Sequence, residues 1–363
     1  MAMANIKESK SAFLLWTPFQ IFGAIHFIVD KNLIGKADAY IIGQFSDADD
    51  IVNKVINSGI FSSVKYTHLQ DIEKNHKFWE LIGLFISPKA YLKHIFNCEL
   101  PAYDYENIYY SVPSRFNDIF VLAHHKAKVY GLDDGIGSYI NDVYLINLGK
   151  KYELIKKILH KNHTVQAAYL FCPEFYNGPN HRPIFNLLDD NNTFSRVTPF
   201  IHNIFNYTNV DNYIAYKYIY LNQPVSDFAD IATQIRVEKT IFNLISTTIS
   251  PNLLVRLHPR ETHYELYDGN TIDQFNPMWE LVSSDIIDEK YCLIACFSTA
   301  QFTPKLLFNK EPMLVFTYPL YTTLSDESKT NFSLSVARLR NIYTHPEKII
   351  VVDKLSDLSK VFH

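Results

Sequence analysis

The sequence predicts an α/β protein built from two consecutive units, each a parallel sheet wound with helices. Three observations predict it. The chain has 363 residues, 47% hydrophobic and 20% charged, enough for two cores at roughly 100–200 residues per domain and too apolar for a disordered chain. Short apolar runs of strand length alternate with stretches of helical periodicity. That alternation lapses in the middle of the chain and restarts near Ala215.

In the first half, Ser11 to Trp16 is an apolar run of strand length, followed by Thr17-Pro18-Phe19-Gln20 and a helical pattern through Ile21, Ala24, Ile25 and Ile28. Ala37 to Ile42 and Val64 to Thr67 read as strands, with a helix from Asp47 to Ile60 between them. A helix is expected over Phe78 to Phe96, broken at Pro88. Tyr105 to Ser111 and Lys128 to Leu132 are further strands, separated by a helix from Arg115 to His125. From Tyr139 to Ile201 the pattern is irregular, with one helix over Leu154 to Leu159, a strand over Ala167 to Cys172 and a loop from Asn177 to Pro183. In the second half, strands are expected at Lys217 to Leu221, Asn252 to Leu257, Leu293 to Phe297, Met313 to Phe316 and Lys348 to Val352. A long amphipathic helix covers Ala229 to Ser246, and Ser298 opens a helix that runs to Leu307. The division falls at 1–208 and 209–363. Two Rossmann-like domains with parallel sheets facing a central cleft follow, with ligands at the carboxyl ends of the strands.

Lys and Arg number 34 against 38 Asp and Glu, a net charge of −4, which argues against a nucleic-acid protein held by phosphate contacts. The four cysteines, Cys98, Cys172, Cys292 and Cys296, are too sparse for a disulfide scaffold and lack the spacing of a zinc site, so no zinc site is expected and reduced thiols point to a cytoplasmic protein. No run is apolar for about 18 residues, so no transmembrane helix is expected. The 24 Tyr and 26 Phe read mainly as core, with sugar-stacking platforms as the functional alternative.

Four strings at predicted strand ends carry candidate chemistry. The strand at Lys128 to Leu132 runs into Asp133-Asp134-Gly135; adjacent carboxylates repel, which raises one pKa and suits a proton acceptor, while a solvated Asp-Gly turn uses the same residues. Arg256-Leu257-His258-Pro259-Arg260-Glu261 delivers an imidazole between two arginines, suited to a phosphate, or else a histidine that caps its strand. Ser298 and Thr299 bring hydroxyls to a predicted helix start, as an anion site or as plain capping. Thr17, Pro18 and Gln20 are good capping chemistry and also put polar groups at the end of the first strand. Asp227, in the turn Asn222 to Asp227, is a second candidate base.

Taken together, Asp133-Asp134-Gly135 in the first half and His258-Pro259 in the second resemble the signature of bacterial sialyltransferases and polysialyltransferases. The context His258-Pro259-Arg260-Glu261, the string Phe297-Ser298-Thr299 and the opening Thr17-Pro18-Phe19-Gln20 resemble the lipooligosaccharide and capsule sialyltransferase family in particular. The resemblance implies a GT-B-like fold and metal-independent, inverting transfer of sialic acid from CMP-sialic acid to a terminal sugar, such as galactose, of a surface glycan. It implies Asp133 as the general base supported by Asp134, with Asp227 in reserve for that role. His258 would bind or protonate the departing phosphate, and Ser298 and Thr299 would hold it. It also implies a homodimer. A lipid-linked acceptor would bring peripheral membrane contact, for which the basic stretch from Lys150 to Lys161 is a candidate. The competing readings are a glycosyltransferase with a UDP-sugar donor, since fold does not fix the donor, and a non-catalytic glycan-binding protein.

Overall fold

The computed structural model describes residues 10–43, 45, 47–68, 87–95, 98, 100–101, 103–140, 165–178, 182–190, 192–208, 210–228 and 230–362. The predicted helix at Leu154 to Leu159, the basic stretch from Lys150 to Lys161 and much of the predicted helix over Phe78 to Phe96 lie outside them. Two compact units result, 1–205 and 206–363.

The first unit is a seven-stranded parallel sheet: β1 (Ser11–Leu15), β2 (Ala37–Gly43), β3 (Ser63–His68), β4 (Asn107–Tyr110), β5 (Lys128–Leu132), β6 (Val165–Leu170) and β7 (Ile184–Asn186), in the order β3-β2-β1-β4-β5-β6-β7. β1 is buried along its whole length, as expected for a central strand covered on both faces. Much of the aromatic content is spent here. Register places Phe13 beside Tyr109 and Tyr109 beside Tyr130, and the three rings stack across β1, β4 and β5 at centroid distances of 4.6 and 5.2 Å. Aromatic neighbours on one face of a sheet are strong cross-strand pairs.

The second unit is a six-stranded parallel sheet of β8 (Tyr218–Leu221), β9 (Leu253–Arg256), β10 (Thr271–Ile272), β11 (Cys292–Ala295), β12 (Met313–Phe316) and β13 (Ile349–Val351), in the order β10-β9-β8-β11-β12-β13. Its longest helix, Ile231–Ile249, starts where Asp230 accepts a hydrogen bond from Thr233 N (3.0 Å) and buries Ile241, Phe242 and Ile245. Both sheets wind outward from a central strand in two directions, the doubly wound order of a Rossmann unit. The predicted class, two Rossmann-like units of GT-B-like type, is the observed one.

The order also locates the functional edges. In a doubly wound sheet the loops after the two strands flanking the reversal diverge and leave a crevice at their carboxyl ends. The reversal lies between β1 and β4 in the first unit and between β8 and β11 in the second. Among the described residues no helix is long and apolar enough to cross a membrane, and the four cysteines are free and buried.

Candidate functional site

In the first unit, Thr17 is the N-cap of the helix Pro18–Asp30: its Oγ1 accepts from Gln20 N (3.2 Å), and Pro18 fills the first turn, where a missing N–H costs nothing. Gln20 returns the bond, its Oε1 accepting from Trp16 N (2.7 Å). That leaves the Gln20 amide nitrogen aimed along the sheet edge, where it donates to Asp134 Oδ1 (2.7 Å). The hydroxyl-proline string and the acid pair, more than a hundred residues apart in sequence, therefore meet at the carboxyl edge of the sheet.

The two acids have different environments. Asp133 is 1% exposed and turned inward. One oxygen accepts from Gly135 N (2.8 Å), the other from Phe171 N (3.0 Å) and from the Tyr139 hydroxyl. It joins the ends of β5 and β6 to the short helix Gly137–Ile140. Burial raises its pKa to about 7, against those three bonds, with the Asp134 charge adding to the rise. The expectation that Asp133 is the base meets this obstacle: its oxygens are already used as acceptors inside the fold. Asp134 is half-buried, its Oδ2 takes no hydrogen bond from the described residues, and burial raises its pKa to about 6 against the Gln20 bond. Gly135 supplies the turn that follows them at φ +85° with nothing within 4 Å of where a Cβ would sit. Gly135→Ala is thus expected to cost only the strain of the left-handed backbone, about 1–2 kcal/mol, read as a lower denaturation midpoint.

In the second unit, a cavity of about 250 Å³ opens at the carboxyl ends of β8, β9 and β11, beside the reversal, lined among others by Asn222, His258, Trp279, Glu280, Ser298 and Thr299. His258 follows β9 as predicted. Its Nδ1 accepts from Arg260 N (3.1 Å), so the neutral ring carries its proton on Nε2. Burial, then the neighbouring Arg260 charge, lowers its pKa. His258 is thus a neutral N–H donor rather than an imidazolium, which suits binding a phosphate oxygen better than protonating it.

The arginines on either side of His258 are engaged elsewhere. Arg256 donates to Asp273 Oδ2 (3.2 Å), to the Tyr213 hydroxyl and to Pro277 O (2.5 Å), and lies over Trp279. Arg260 makes a two-pronged pair with Asp227 (2.8 and 3.0 Å). Asp227, the reserve base, is therefore an arginine partner, and Pro259 is an exposed turn residue that lines the same cavity as His258.

The predicted helix from Ser298 is broken into the single 3₁₀ turn Thr299–Gln301 and the short helix Thr303–Phe308. Ser298 caps that turn, its Oγ accepting from Ala300 N (3.3 Å) while Gln301 Oε1 accepts from Ser298 N (3.3 Å). Buried Gln301 also donates to Leu293 O (3.2 Å) and Val315 O (3.0 Å), pinning the hydroxyl-bearing turn to β11 and the loop end of β12. Capping residues at a turn are visible in sequence; a glutamine that reaches two strands is not.

Among the described residues no group of three or more His, Cys, Asp or Glu side chains is placed to hold a metal ion. No family model and no curated protein matches the chain. Solved structures do. A Staphylococcus aureus MnaA–UDP co-structure is 11% identical, covering 96% of this chain and 94% of that one, at a TM-score of 0.47. The Methanocaldococcus jannaschii UDP-GlcNAc 2-epimerase with UDP-GlcNAc and UDP is 13% identical over 97% and 91%, at 0.48. Anabaena Alr3699/HepE with UDP and glucose is 9% identical over 98% of each, at 0.41. Likeness at this level concerns the fold.

These results correct the family resemblance read from the motifs. The solved structures that share this chain's fold carry UDP or UDP-GlcNAc where the resemblance implies a CMP-linked sugar. The expectation of a CMP-sialic acid-dependent sialyltransferase is overturned. The two arginines that the sequence places beside His258 for a phosphate are paired with Asp273 and Asp227. The motifs misled because each is two or three residues long and marks a strand end, which any doubly wound sheet supplies.

Proposed function

We propose that the chain is a glycosyltransferase: the second unit takes a UDP-sugar donor, and the first carries a candidate proton acceptor, Asp134. One observation carries the reading: His258, with its Nδ1 engaged by Arg260 N, and the hydroxyl-bearing Ser298 and Thr299 line one cavity at the point where the second sheet reverses its strand order. Neutral donors on a diphosphate stabilise the charge that builds as the anomeric C–O bond breaks and UDP departs. The acceptor oxygen forms the new bond to the anomeric carbon and gives its proton to a base, a role that the Asp134 carboxylate, with its pKa near 6, suits at neutral pH. Gln20 orients that carboxylate through the bond at 2.7 Å.

Calorimetry tests the donor class. UDP is expected to bind about tenfold or more tightly than CMP, a difference of ~1.4 kcal/mol, because its second phosphate adds contacts to the same neutral donors. EDTA is expected to leave the titration unchanged. Tighter binding of CMP, or of neither nucleotide, overturns the reading.

A further inference from the structure

We propose that Asn222 and Glu261 are positioning residues for His258; this deepens, and rests on, the reading of the second unit's cavity as a nucleotide site. Asn222 follows β8 and is 4% exposed; Glu261 ends the string begun by His258 and is 2% exposed. The Asn222 amide uses both ends. Its Oδ1 accepts from His258 N (2.5 Å), and its Nδ2 donates to Glu261 Oε2 (2.6 Å) and to the Tyr267 hydroxyl (3.2 Å). Glu261 then accepts from Val225 N (3.3 Å) through Oε2 and from Thr262 N and His263 N (2.8 Å each) through Oε1. Tyr267 donates onward to Glu238 Oε1 (2.9 Å), a buried carboxyl that also receives the hydroxyls of Tyr220 and Tyr321 (2.6 Å each).

Ordinary turns close on their own carbonyls. Here two buried side chains hold the backbone N–H groups of residues 225, 258, 262 and 263 at once. Their shared bond fixes the direction in which the chain leaves β9, and so where the His258 ring stands when Arg260 N selects its tautomer. A buried amide that both accepts and donates transmits that geometry only if its two ends face the right partners. Asn222 lines the cavity as well; its effect on a bound phosphate is argued through His258.

The test is a polarity swap. Asn222→Asp sets a second carboxylate against Glu261 and removes both donated bonds. Asn222→Asp with Glu261→Gln restores one bond in the reverse direction. Two readouts are taken on wild type, single and double variants: long-range ¹H–¹⁵N spectra of ¹⁵N-histidine protein, which report the His258 tautomer, and UDP titration. The single variant is expected to lose the uniform Nε2–H signature and about tenfold or more in UDP affinity. The double variant is expected to recover the signature and to bind within about threefold of wild type. Should Asn222→Asp fail to fold, Glu261→Gln alone, which opposes two N–H donors, is expected to perturb the same signature. A folded single variant with unchanged tautomer, or a double variant no better than the single, overturns the proposal. A wild type that binds no UDP while its variants still shift the tautomer retires the nucleotide reading and upholds the positioning role.

Discussion

Asp134→Asn is expected to lower turnover by about 10²–10⁴-fold, the range for loss of a positioned general base, while UDP affinity stays at the wild-type value. The amide keeps an oxygen for the Gln20 bond, so the local geometry survives and the proton acceptor does not. The measurement is UDP release from a UDP-sugar in the presence of a glycan acceptor, with UDP calorimetry as the control. The pH dependence follows from the same group. Its pKa is raised to about 6 and the base acts when deprotonated, so wild-type turnover rises with pH through about 6 and then levels. Near-normal turnover in the variant, or a rate that falls over that interval, would remove Asp134 from the mechanism.

Asp133→Ala is expected to act on the fold. It orphans the N–H groups of Gly135 and Phe171 and the Tyr139 hydroxyl in the interior, and each unpaired buried donor costs ~1–3 kcal/mol. A large drop in the denaturation midpoint, read by circular dichroism, is the expected result. The charge adds a pH signature. The pKa is raised from 3.8 to about 7 in the folded chain, so the folded state holds this proton more tightly than the unfolded one. Its contribution is full below the unfolded pKa and is lost as pH climbs through about 7. Wild-type stability is expected to fall over that interval, and Asp133→Asn to flatten the slope. An alanine variant as stable as wild type would contradict the interior role.

The fold was legible because strand burial leaves a direct trace. Lys128–Leu132 and Met313–Phe316 match the predicted strands end to end, and β1, buried along its length, reads as a nearly unbroken apolar run. Ile184–Asn186 and Thr271–Ile272 left no trace: they are edge strands of three and two residues. The helices Thr193–Ile204 and Asp326–Ile342 also escaped, the first because Pro199 sits inside it, the second because its exposed, polar turns dilute the apolar stripe. At the site, position was readable and partnership was not. Asp134, His258 and Ser298 could be placed at strand ends, but that Asp133 points inward, that Arg260 holds Asp227 and that Asn222 holds His258 depend on residues brought together by the sheet order. The turn from Asn222 to Asp227 reads as a run of breakers, and its first residue proved to be an anchor.

Gln301, fastened to the main chain of two neighbouring strands, has a kinetic meaning. The turn that offers Ser298 and Thr299 gives up its freedom when the sheet forms, so a ligand arriving there meets groups already in place. The ordering cost that a mobile phosphate loop settles at each encounter is here settled once, during folding. On the proposed donor reading, this turn adds no closure step of its own to binding.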